Sequence, residues 1–172
     1  MAHLRFAAVA GFVSVSTCLG VAAAAAQPAA GANHGTFRFE TPAKLTVKAS
    51  CAIGMKNGDV LVVMTDAPIN CAVAAKSADP QDAVLNASGV AARVHFTIKA
   101  TGKLGPVFLA NVSGASTYTD DQNGVLKAGP KSPTNIAGTV SSGGIKKAYL
   151  YAGPHDMEYE LTFDTPIVKA AK

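Results

Sequence analysis

Apolar and polar residues alternate along much of this chain with a period of two, the spacing of strands that bury one face. The cleanest run covers residues 157–168, where Met157, Tyr159, Leu161 and Phe163 fall on one side and Glu158, Glu160, Thr162 and Asp164 on the other. Much earlier in the chain, Phe37 and Phe39 alternate with Arg38 and Glu40, and Leu45, Val47, Ala49 and Cys51 repeat that phase beyond Pro42. Residues 92–100 set Val94, Phe96 and Ile98 against Arg93, His95, Thr97 and Lys99, which predicts a half-buried strand with His95 on its solvated face. Residues 107–112, 136–141 and 148–152 supply further strands.

One segment departs from alternation. Residues 60–65 form a nearly continuous apolar run after Lys56-Asn57-Gly58-Asp59, whose Asn-Gly pair tolerates positive φ. A hairpin with a buried return strand is therefore expected. Residues 71–77 then turn to Ala and polar residues, and Asp79-Pro80 marks a helix start, with Asp79 as cap and Pro80 at the first helical position. One short helix to about Asn86 follows from that. Residues 114–134 carry turn residues and two prolines, with room for one short edge strand near Val125-Leu126.

Seven or eight strands without a long amphipathic helix predict an all-β fold: an antiparallel β-sandwich, immunoglobulin-like connectivity among its options, with one short helical insert. A partly open barrel is the alternative.

The first residues change the picture of where this domain works. A basic start at Arg5, an apolar run from Phe6 and a small-residue stretch ending Ala24-Ala25-Ala26 have the layout of an export signal removed before Gln27. The competing reading is lipid attachment at Cys18, disfavoured by Thr17 just before it. The expected organisation is a signal at 1–26, a small-residue tether at 27–35 and one domain at 36–172, exported to the periplasm or secreted. Cleavage leaves no stable membrane span. It also removes Cys18, leaving Cys51 and Cys71 as an even pair that an oxidising compartment should join.

Charge and motifs narrow the function classes. The formal net charge is +4 and Lys146-Lys147 is the only adjacent basic pair, so no nucleic-acid footprint is indicated. No Gly-x-Ser-x-Gly elbow or phosphate-cradling glycine loop occurs, and Asp120-Asp121 has turn chemistry rather than a converging acid pair. A noncatalytic module is expected, binding an unidentified envelope or extracellular ligand. Tyr149 and Tyr151, alternate on one strand, are its candidate contacts. The alternative is copper handling: His155 and Met157 place an imidazole and a thioether on one face of an extended segment, a donor pair suited to Cu(I). Met157 also shares the phase of the inward residues Tyr159, Leu161 and Phe163, which argues for a core thioether. Gly153-Pro154-His155-Asp156 resembles a turn, His34 falls in the tether, and Tyr118 is a further exposed-tyrosine candidate.

Overall fold

The continuous apolar run and its Asn-Gly turn form a tight hairpin. In the computed structural model, which describes residues 33–39, 44–87, 89, 90, 92–112, 115–119, 124–150 and 153–170, Gly58 sits at φ 85° and donates its N–H to the Met55 carbonyl at 3.1 Å. A side chain there would be strained by that φ. Asn57 and Asp59 brace the turn by two hydrogen bonds, and Asp59 also accepts from the Ala100 N–H at 2.9 Å.

In chain order the strands before the insert are β1 (His34–Phe39), β2 (Lys44–Thr46), β3 (Ala49–Gly54) and β4 (Val60–Thr65). Two helical turns follow, α1 (Cys71–Ala74) and α2 (Pro80–Leu85). Then come β5 (Arg93–Ile98), β6 (Leu104–Val112), β7 (Ala115–Thr119), β8 (Val125–Ser132), β9 (Asn135–Ser141), β10 (Lys146–Leu150) and β11 (Gly153–Lys169).

These strands do not build the expected two-sheet sandwich. The body is a seven-strand mixed sheet curled strongly into a half-barrel, and counting every attached strand the hydrogen-bonded network holds eleven. Its main path runs β2-β1-β11-β3-β4-β5-β6-β7. The reason lies in β11, whose 17 residues change partners along their length. It pairs with β10 at Gly153 to Met157, with β1 at Met157 to Thr162, with β9 at Glu160 to Pro166, and in parallel with β3 at Ile167 to Lys169. A strand shared in this way stitches together what would otherwise be two sheets. The parallel β11–β3 pair also makes the sheet mixed, and β7 lies against β10 as the curl returns. The partly open barrel is the nearer of the two sequence expectations.

Local expectations fared differently. Asp79 caps α2 as its sequence position suggested, accepting the Asp82 N–H at 3.1 Å. The insert holds two very short helices rather than one, because Asn70 caps α1 by accepting from the Val73 N–H at 3.2 Å. Residues 153–156 belong to β11 and are not a turn. The stretch at 114–134 contains all of β7 and β8, more strand than its turn residues suggested. The export segment 1–26 lies outside the described residues. The expected tether reaches them only at its end, where β1 begins and buried Asn33 accepts from Ser50 Oγ at 2.6 Å and the Asp164 N–H at 3.0 Å.

Burial divides into two layers. Inside the curl, Ala52, Val62, Met64, Val94, Phe96, Val107, Leu109, Val140, Tyr159, Leu161 and Phe163 form the main core. Phe96 and Phe163 meet there with ring centroids 5.5 Å apart and planes tilted by 59°. On the other side of β3 and β4, Cys51, Ile53, Leu61 and Val63 pack against Ala74, Ala75 and Val84 of the insert. Every residue of β4 is therefore buried, as its unbroken apolar run requires. The phase expected to carry Val47 and Cys51 to one side breaks between β2 and β3: Val47 joins the main core and Cys51 the outer layer.

Candidate functional site

Two places bring polar chemistry together. The first is a shallow, open groove of about 400 Å³ on the outer face of the sheet. The strand register sets four of its residues abreast on four neighbouring strands: His34 opposite Thr162, Thr162 opposite Thr139, and Thr139 opposite Lys127. His34 and Lys127 are exposed at the two ends, with the threonine hydroxyls between them 3.4 Å apart. Asp164 borders the groove, its carboxylate accepting from the Asn135 amide at 2.7 Å. Gly138 is required here by close approach, since a Cβ would stand 2.9 Å from the Lys127 carbonyl oxygen and 3.1 Å from the Phe163 ring. The pairing of β8 with β9 slips between Ala128 and Lys131, beside the groove.

The second place was missed by the alternation. Arg93 and His95 lie on the face of β5 expected to be wet, yet they are 6% and 5% exposed. The reason is the insert. His95 is opposite Val63 of β4 and Phe108 of β6, and it stacks on the Phe108 ring with centroids 4.8 Å apart and planes within 10°. Asp82 of α2 reaches to 3.6 Å from Arg93 Nη2. Burial, and then the neighbouring Arg93 charge, hold the His95 pKa down to about 4, with Asp79 pulling the other way. Desolvation likewise lowers the Arg93 pKa against the opposing pull of Asp82 and Asp79. Two signals could have located this layer: a β4 with no polar face needs cover on both sides, and the capping residues Asn70 and Asp79 start helices that need a surface to pack on.

Cys51 and Cys71 form a disulfide with Cα atoms 5.5 Å apart, joining β3 to α1. Such a bond fits an oxidising compartment. Met157 is 1% exposed and packs in the main core, the place its phase indicated. His155 is opposite Ala148 and Tyr149 opposite Pro154 in the β10–β11 ladder, but their side chains lie outside the described residues. Tyr151 lies outside them altogether, as does the Tyr118 side chain. Among the described residues no three His, Cys, Asp or Glu side chains gather as a metal-holding group. None of the described helices is long and apolar enough to cross a membrane.

No protein-family model, curated protein or solved structure matches this chain.

Proposed function

We propose that this protein is an exported, noncatalytic binding domain of the cell envelope or extracellular space, with the groove across β1, β11, β9 and β8 as its contact surface. The observation that carries the reading is the ladder of His34, Thr162, Thr139 and Lys127, four polar side chains abreast on paired strands. Groups mounted on a hydrogen-bonded sheet lose little freedom on binding, so each contact is made at small entropic cost. Two hydroxyls flanked by an ammonium and an imidazole offer donors to a hydroxyl-rich or anionic polymer, and an open groove admits a chain passing through. The disulfide supports export, as does the layout of residues 1–26. Tyr149 and Tyr151 remain a second candidate surface, carried only by their spacing.

Two experiments test this reading. Intact mass of the secreted protein should correspond to a chain starting at Gln27 and lacking the two cysteine protons; a diacylated Cys18 would overturn the soluble form. A screen against glycans and anionic envelope polymers should find a ligand whose affinity drops at least about tenfold in the Lys127→Ala, Thr139→Val double variant. Both side chains stand outside the core, so the thermal midpoint should move little. Binding unchanged by that variant and lost with Tyr149→Ala plus Tyr151→Ala would move the contact surface to β10.

A further inference from the structure

The outer face of β5 buries a charge that two exposed carboxylates, Asp82 and Asp79, face from the insert. The Arg93 side chain is 7% exposed, whereas its ion-pair partner Asp82 is 64% exposed and stands 3.6 Å away, beyond hydrogen-bond reach. Arg93 Nε and Nη1 are buried and have no hydrogen-bond partner among the described residues, and the same holds for His95 Nδ1. Buried donors are nearly always matched in folded proteins, so three orphaned nitrogens on one strand face point to a missing acceptor.

We propose that Arg93 and His95 form a carboxylate-binding site on the outer face of β5, closed by α2 and faced at rest by the exposed carboxylate of Asp82. The guanidinium is a planar fork, and a carboxylate replacing Asp82 at Nη2 sets its second oxygen on Nη1 or Nε, satisfying a donor that Asp82 leaves bare. His95, two residues along the same face, contributes Nδ1 as a further donor in the tautomer that protonates it. The chemistry selects a carboxylate because the surroundings are apolar: Val63 and Phe108 flank His95. A phosphate dianion, more heavily hydrated, loses more on entering such a place.

The cover is built to move on one side. The helix α1 is fastened to β3 by the Cys51–Cys71 disulfide, and the base of the insert is closed where the Asp66 N–H donates to the Ala92 carbonyl and Asp66 Oδ1 accepts from the Ala92 N–H. By contrast α2 has six residues, with Val84 the buried anchor among its described side chains, and the long Asp82–Arg93 pair. Swinging α2 aside uncovers Arg93 without disturbing the main core. This site is independent of the groove, so either can fail alone.

The test uses the full exported chain, isotopically labelled, with the Arg93 Nε–H and His95 ring resonances followed by NMR during titration with sodium acetate and sodium succinate. Sodium chloride at equal ionic strength is the control. A second arm uses an amidated, acetylated peptide bearing one Glu; saturation by that peptide as well assigns the ligand to peptide carboxylates, and saturation by the free acids alone to small organic acids. Both results support the site. Saturable shifts at both residues are expected, tightened about fivefold by Asp82→Asn because the resident competitor is gone, and weakened at least about tenfold by Arg93→Lys. The Asp82 side chain is exposed, so its variant should fold even where an Arg93 variant does not. The proposal is overturned by an absence of saturable shifts in both the wild type and Asp82→Asn, or by shifts that chloride reproduces.

Discussion

The two layers packed on β4 are made of different materials. Inside the curl, Phe96, Phe163, Tyr159, Met64 and Leu109 fill space with large side chains. Outside, the insert contributes Ala74, Ala75 and Val84, and the same layer buries Arg93 and His95. Burial stabilises in proportion to apolar area, so the inner layer contributes the larger share, and the outer layer's share comes mainly from Ile53, Leu61 and Val63 of β3 and β4 rather than from the insert's own side chains. A disulfide joins the insert to the sheet in this layer, between Cys51 of β3 and Cys71 of α1. The difference teaches that the cap covers large apolar residues of β3 and β4 with small ones of its own, and that it is the layer under which polar groups are hidden.

That contrast can be broken most sharply from the inside. Phe163→Ala removes the ring packed on Phe96 and should cost about 3–5 kcal/mol in urea unfolding. A smaller effect should come from acid. His95 is held near 4 in the folded chain against about 6.5 when unfolded, so between those values the unfolded chain binds a proton that the folded one does not. Stability should therefore be full above about pH 6.5 and fall by roughly 3 kcal/mol on acidification to about pH 4. Arg93 reinforces the effect and Asp79 opposes it. His95→Gln should flatten that part of the pH profile; an unchanged slope would place the titrating group elsewhere. The smallest effect belongs to Val84→Ala, expected to cost about 1–2 kcal/mol. If that variant costs as much as Phe163→Ala, the two layers are not different in kind.

Legibility in the sequence followed how local each cause was. The β3–β4 hairpin, the alternation of β11 and the Asp79 cap of α2 depend on neighbours within a few residues, and each was readable. The disulfide was readable because the expected loss of Cys18 with an export signal leaves Cys51 and Cys71 as the single possible pair. The sandwich expectation failed because alternation reports that a strand has a buried face, not which sheet it joins; the partner changes along β11 are settled by tertiary pairing. Of the polar sites, the groove was invisible because His34, Lys127, Thr139 and Thr162 are distant in sequence and meet only through register. Arg93 and His95 were misread for a related reason: a polar residue alternating with core positions normally faces water, and here a helical insert from residues 71–85 covers it.

Native-state hydrogen exchange on the oxidised protein tests most directly whether the cap is a separable layer over Arg93 and His95. The α2 amides to follow are Ala83 and Asn86, bonded to the Asp79 and Asp82 carbonyls at 3.0 and 2.9 Å, and Val62 and Phe96 report the sheet beneath. The account predicts that the α2 amides open at least about 2 kcal/mol more easily than those of Val62 and Phe96, in a step that exposes little surface. Equal protection of all four, lost together in one global transition, would contradict it.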